Sequence, residues 1–128
     1  MGSNFDKYLK EFDYQERLDM KIDLKELLDL YANNKVQIID IRFKEEYEAW
    51  SIGFLTHIPL NELPNRLNEL DKSKTIVTVC PHYDRAAIAR LYLKTNGYDA
   101  KYLTDGMLGL VDYLRGDRAR DYMDKIRG

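Results

Sequence analysis

The chain has 128 residues, a formal net charge of −2 and a single cysteine. That length fits one domain, 45% hydrophobic residues suffice for a core, and the balanced charge argues against a nucleic-acid-binding surface, which needs a basic excess. One cysteine excludes an internal disulfide, and no apolar run reaches the ~18–20 residues of a membrane helix, so the sequence predicts a cytoplasmic protein that binds no membrane.

A short amphipathic helix is predicted near the N-terminus. Its apolar positions recur at helical spacing: Phe5, Tyr8, Leu9 and Phe12. Such a stripe must be buried, either against the domain's own core or against a second subunit or partner, so a homodimer through this helix is one alternative. Residues 13–20 predict a polar connection. Together these segments form a predicted N-terminal helical extension over residues 1–20.

Helices and strands alternate through the middle of the chain. Helical patterns cover residues 22–31, 43–50, 63–70, 85–95 and 107–114. Strand patterns cover residues 36–41, a brief segment within 53–60, and residues 75–79 and 100–103. This alternation predicts an α/β fold with right-handed crossovers. Residues 117–127 are strongly charged and predict a solvated terminal helix, which gives a C-terminal helical extension over residues 117–128.

The chain's only cysteine lies between a strand and a helix. Cys80 directly follows the β-branched run of residues 75–79, and Arg85 stands near the start of the next helix. Helix N-termini and nearby cations lower a thiol pKa, and a curled loop presents several N–H groups to one point, so Cys80 is a candidate nucleophile. Two observations oppose this interpretation: a lone cysteine is often a buried small hydrophobe, and Asp84 would raise the thiol pKa if it faced inward.

Arg42 follows another predicted strand at its carboxyl end. Ligands of open α/β sheets bind beyond the carboxyl ends of the strands, so Arg42 and Cys80 are expected to lie at the same edge of the sheet. Asp40 is interpreted as a structural residue that binds backbone at the strand end.

Four local segments together resemble the rhodanese-like (sulfurtransferase) family. The segments are Ile38-Ile39-Asp40-Ile41-Arg42, residues 46–60 beginning Glu46-Tyr47, the loop from Cys80 to Arg85, and Tyr102-Leu103-Thr104-Asp105-Gly106-Met107. They cover about residues 22–115 in the family's order. The resemblance implies a central, mostly parallel five-stranded sheet flanked by helices on both faces, with the rhodanese-like domain at residues 21–116.

The resemblance also implies an activity and its residues. Cys80 would carry a sulfane sulfur as a persulfide, from a small sulfur donor to a thiol, cyanide or a protein acceptor, and Arg85 would be the second catalytic residue. The residues implied to bind substrate are Pro81, His82, Tyr83, Asp84, Ala86 and Arg42. No cofactor or metal is expected. Alternatives remain for both arginines: Arg85 as a salt bridge that braces the helix start, and Arg42 as a surface charge paired with Glu45 or Glu46.

Two departures from the family pattern bear on function. Tyr83 stands where the family usually has glycine, so the loop either follows a different path or stores strain, because tyrosine tolerates positive φ poorly. This favours a rival interpretation, a catalytically idle module that binds a partner. A second rival, a cysteine-dependent phosphatase or arsenate reductase, is disfavoured because relatives of that kind have five residues between Cys and Arg, whereas Pro81 to Asp84 are four.

Overall fold

The computed structural model describes residues 2–128. The helices are α1 (Gly2–Lys10), α2 (Tyr14–Asp19), α3 (Leu24–Ala32), α4 (Lys44–Ala49), α5 (Asp84–Thr95), α6 (Gly106–Tyr113) and α7 (Gly116–Arg127). The strands are β1 (Lys21–Ile22), β2 (Val36–Asp40), β3 (Thr56–His57), β4 (Thr75–Val79) and β5 (Ala100–Leu103). Two 3₁₀ helices, Leu60–Asn65 and Leu67–Glu69, precede β4.

The five strands form one parallel sheet in the order β1-β5-β4-β2-β3. The central strand β4 pairs with β2 along its whole length, ending with Val79 opposite Asp40. This confirms the predicted α/β class and the parallel five-stranded sheet. It also sets the residues that follow β2 and β4 side by side at one edge.

Hydrophobic clusters cover both faces of the sheet. One cluster contains residues of α3, α6 and α7, including Leu27, Met107 and Tyr122. The other contains Ala86, Ala89 and Leu93 of α5, together with Cys80. Alternate residues of β4 point into the two clusters, as the period of a strand requires. Cys80 therefore lies between the sheet and α5.

Three local predictions were wrong. Residues 13–20 contain the helix α2, whose N-cap Asp13 accepts a hydrogen bond from the Glu16 amide; none of its residues is buried, so it lacks an apolar stripe that would predict it. Ile22 belongs to a strand beside β5, not to the following helix. Residues 63–70 form 3₁₀ turns instead of one α-helix, because Pro64 has no N–H to donate within it.

The N-terminal helices pack on α5 through a buried arginine. Arg90 donates to the Glu16 carboxylate at 2.7 Å, to the Tyr8 hydroxyl at 3.1 Å and to the Ala100 carbonyl at 2.8 Å. The extension thus contacts the chain's own core through Tyr8. The apolar side chains of Phe5, Leu9 and Phe12 nevertheless remain exposed. A homodimer through this surface stays a prediction, which sedimentation velocity of the chain would test.

The C-terminal helix is more than a solvated surface element. Tyr122 of α7 is buried, and its hydroxyl donates to the Leu28 carbonyl of α3 at 2.7 Å. Sequence alone suggested an exposed helix because charged residues surround this tyrosine. Among residues 2–128, no helix combines the length and the apolar character that crossing a membrane requires.

Candidate active site

The Cys80 loop runs from the carboxyl end of β4 to the first turn of α5. Tyr83, the residue before α5, has φ −152°, which any side chain adopts. Among residues 2–128, Asn34 is the one non-glycine residue with positive φ. The loop therefore follows a path that accommodates tyrosine without the strain that positive φ would impose.

Backbone amides converge on the Cys80 sulfur. The Ala86 amide donates to Sγ at 3.3 Å, and the nearby amides of Arg85 and His82 also lower the pKa of the thiol. Thr78 holds this turn in place, since its hydroxyl donates to the Ala86 carbonyl at 2.8 Å. The start of α5 thus forms a cradle of N–H groups at the thiol, as expected for a helix N-terminus that receives an anion.

Burial of the thiol opposes these amides. Cys80 is 0% exposed. Burial raises the pKa of Cys80 above its ordinary value; the amides of Ala86, Arg85 and His82 lower it, and the Asp84 charge raises it. The net shift is upward, opposite to what the loop's position and Arg85 suggest. The resting thiol is therefore protonated at neutral pH, with Asp84 Oδ1 3.8 Å from Sγ as its hydrogen-bond acceptor.

Arg85 forms a two-pronged ion pair with Glu46 of α4. Its two terminal nitrogens donate to Glu46 Oε1 at 2.8 Å and Oε2 at 2.9 Å. The Arg85 hydrogen bond lowers the pKa of Glu46 to about 2. Glu46 also accepts a bond from the Phe43 amide at 3.0 Å. Arg85 thus braces α5 against α4, which is one of the alternatives that the sequence leaves open. Glu46 begins one of the segments that resemble the family, but the sequence does not predict its pairing with Arg85.

Arg42 is buried beside Asp40 at the end of β2. Its guanidinium donates to Asp40 Oδ2 at 2.8 Å and to the Trp50 carbonyl at 2.9 Å. Asp40 also accepts from the Arg42 amide, as expected for a structural residue. Arg42 is 1% exposed, so the alternative of a surface charge paired with Glu45 or Glu46 was wrong. Arg42 reaches the predicted edge of the sheet, but its donors point at Asp40 and the segment after α4.

The loop's outer side rests on the first turn of α6. The Met107 amide donates to the Cys80 carbonyl at 2.8 Å, and the Leu108 amide donates to the Pro81 carbonyl at 3.3 Å. Gly106 makes this contact possible, since a Cβ there would lie 2.3 Å from the Pro81 carbonyl oxygen, and its φ is +69°. Gly106 belongs to one of the segments that resemble the family, but the sequence alone does not predict its contact with the loop.

The other predicted site residues divide by exposure. His82, Tyr83 and Asp84 are exposed around the loop, whereas Ala86 is buried and offers its amide to the sulfur. The Tyr83 ring lies over Tyr102 of β5, with 6.5 Å between ring centroids. Among the described side chains, no three His, Cys, Asp or Glu residues are grouped closely enough to hold a metal ion.

The raised pKa of Cys80 predicts its alkylation behaviour. We expect the rate of iodoacetamide reaction to increase with pH through a midpoint above that of a free cysteine, because less thiolate is present at any given pH. Asp84→Asn should move the midpoint downward, since it removes the charge that opposes the thiolate. The pH profile of labelling, followed by intact mass, measures both midpoints. A wild-type midpoint below that of free cysteine would contradict the prediction.

Comparison with known proteins places this geometry in a family. Residues 23–112 match the model of the Rhodanese-like domain. The chain is 34% identical over 67 residues to the Bacillus subtilis protein named "Putative sulfur carrier protein YrkF", covering 52% of this chain and 36% of that protein. It is 29% identical over 85 residues to "Putative sulfurtransferase YtwF" of the same organism, covering 66% of this chain and 81% of that protein.

A solved structure gives the same result for the fold. The crystal structure of a rhodanese-like domain protein from Staphylococcus aureus superposes with a TM-score of 0.63 at 33% identity, covering 70% of this chain and 88% of that one. By contrast, the chain spans little more than a third of the length of YrkF. The family match includes β2, the Cys80 loop and the start of α6, so the chain belongs to the rhodanese-like domain family.

Proposed function

We propose that this chain is a sulfurtransferase that carries a sulfane sulfur on Cys80. The observation that carries the proposal is the Ala86 amide, which donates to Sγ at 3.3 Å where α5 begins beyond the carboxyl end of the central strand. The amides of Arg85 and His82 also lower the pKa of the thiol. A persulfide places a sulfur anion beyond Sγ, and inward-pointing amides stabilise such an anion. Relatives named as a sulfurtransferase and a sulfur carrier support the same class of chemistry.

The reaction proceeds in two half-reactions. The Cys80 thiol loses its proton to water, and the thiolate attacks the outer sulfur of a donor, which leaves without that sulfur. A thiol, cyanide or a protein acceptor then removes the terminal sulfur and restores the thiolate. Because Cys80 is buried, the loop must shift to admit the donor. His82, Tyr83 and Asp84 are the loop side chains that a donor meets first.

The two arginines have different proposed roles. Arg85 is partly exposed and lies in the loop's first helical turn, so it stabilises the charge of the donor while Glu46 fixes its position. Arg42 is proposed as a positioning residue, since its guanidinium donates to Asp40 and to the Trp50 carbonyl. This replaces the donor-binding role that the family resemblance implied for Arg42.

Intact-mass analysis tests the proposal directly. After brief treatment with a sulfane-sulfur donor, wild-type protein is expected to gain the mass of one sulfur atom, and cyanide is expected to remove it. Cys80→Ser should gain nothing, because the thiol is the acceptor. Because Cys80→Ser replaces only the sulfur atom by oxygen, its thermal unfolding temperature should match that of wild type if the fold is intact.

Two other results of these assays would assign the chain a different function. A wild-type protein that gains no sulfur from any donor is the catalytically idle, partner-binding module. Hydrolysis of an aryl phosphate that depends on Cys80 indicates a phosphatase instead.

A further inference from the structure

The charges around Cys80 do not sum to zero. Arg85 is paired with Glu46, with both terminal nitrogens on the two carboxylate oxygens. Arg42 is paired with Asp40 in the buried bridge beside β2. Each arginine near the site is therefore matched by a carboxylate of its own. Each carboxylate offsets the charge of its arginine, so the net positive charge that attracts an anionic sulfur donor is small.

Asp84 adds a negative charge close to the sulfur. Its Oδ1 lies 3.8 Å from Cys80 Sγ, and its side chain is exposed at the mouth of the loop. Among the side chains of residues 4–128, none forms a salt bridge with it. A donor sulfur that reaches Sγ therefore comes within a few ångströms of this carboxylate. The repulsion grows in proportion to the charge that the donor carries.

Three exposed apolar side chains belong to the Cys80 loop and to the segments next to it. Tyr83 is exposed within the loop, and Leu108 is exposed in the first turn of α6, which packs against the loop. The Leu108 amide donates to the Pro81 carbonyl, which fixes that residue beside the loop. Phe43 is exposed too, with the Arg85 guanidinium carbon 5.8 Å from its ring centre. These three surfaces suit an organic group, whereas a small inorganic dianion gains little from them.

We propose that Asp84 determines the donor class: it disfavours dianionic donors such as thiosulfate and leaves the site to organic donors with one negative charge, such as an organic persulfide. This inference rests on the proposed function and names its substrate class. Asp84 acts through its charge at the mouth, while the apolar surfaces of Tyr83, Leu108 and Phe43 receive the organic group.

Two donors that differ by one negative charge provide a matched comparison, and both reactions balance. With thiosulfate, the Cys80 thiolate bonds to the outer sulfur, the sulfur–sulfur bond of the donor breaks, and sulfite leaves with the electron pair. With methanethiosulfonate, the same bond forms and methanesulfinate leaves. Each reaction gives the same persulfide anion and conserves total charge, and neither needs an added oxidant or reductant.

The measurement compares loading rates of the two donors. Rapid quench at pH 8 and low ionic strength, followed by intact mass, gives a rate constant for each donor. Asp84→Asn is expected to accelerate loading by about fourfold per donor charge, for charges about 5 Å apart in a water-like dielectric. The preference for methanethiosulfonate over thiosulfate should therefore fall about fourfold. The ratio cancels any change in the Cys80 pKa, which affects both donors equally.

Two further variants complete the design. Asp84→Glu keeps the charge and should keep the wild-type ratio, whereas Asp124→Asn removes an exposed charge from α7 and should change nothing. If Asp84→Asn loads both donors with the wild-type ratio, the donor-class inference is overturned and the sulfurtransferase proposal stands. If neither donor adds sulfur to wild type or to Asp84→Asn, both are overturned.

Discussion

Gly106→Ala is expected to lower the free energy of unfolding by about 3–4 kcal/mol and to displace the Cys80 loop. Gly106 has φ +69°, where an L side chain is strained. Its Cβ would lie 2.3 Å from the Pro81 carbonyl oxygen and 2.4 Å from that of His82, and both are backbone atoms. The loop must move away from α6, and the bonds to the Met107 and Leu108 amides are lost. Urea unfolding measures the free energy, and sulfur loading of Cys80 reports the loop.

Gly116 serves as a control that separates the cost of positive φ from the cost of the steric clash at position 106. Gly116 has φ +53°, and a Cβ there would meet no atom within 4 Å. Gly116→Ala should therefore cost about 1–2 kcal/mol, from its φ alone, and should leave sulfur loading intact. Equal losses in the two variants would show that the loop does not depend on close contact with Gly106.

The segment around Cys80 was predictable because its signals are local. The β-branched residues of β4, the helical pattern of α5 and the cysteine between them are all contiguous. Residues 14–19 and Ile22 were mispredicted for the opposite reason. The first forms a helix with no buried face, and the second gains strand character only by pairing with β5, some 80 residues away in the chain.

The electrostatics of the site could not be obtained from the loop alone. A local argument counts Arg85 and the start of α5, and it predicts a lowered thiol pKa. The structure adds Glu46, 39 positions away, which pairs with Arg85, and the burial of Cys80 beneath α5. Both features come from tertiary packing, and the burial is the largest reason that the pKa of Cys80 is raised instead of lowered.

Removing the carboxylate of Asp40 is expected to cost about 3–5 kcal/mol, as for other broken buried ion pairs. Asp40→Ala leaves the guanidinium of Arg42, 1% exposed, without its counter-charge. The carbonyl of Trp50 accepts one of its bonds but supplies no negative charge. Urea unfolding at neutral pH measures the loss. Asp112→Ala provides the comparison, because its ion pair with Arg115 is exposed and such pairs contribute less than about 1 kcal/mol.

A second substitution shows whether Arg42 positions the site or binds the donor. In Asp40→Ala/Arg42→Met, no buried charge is left unpaired, so at least half of the lost stability should return. If Arg42 only positions the site, the packed methionine should replace it, and this double variant should load sulfur on Cys80 at a rate near that of wild type. If the double variant is stable yet loads slowly with every donor, Arg42 contacts the donor itself, and the role implied by the family resemblance would replace the one proposed here.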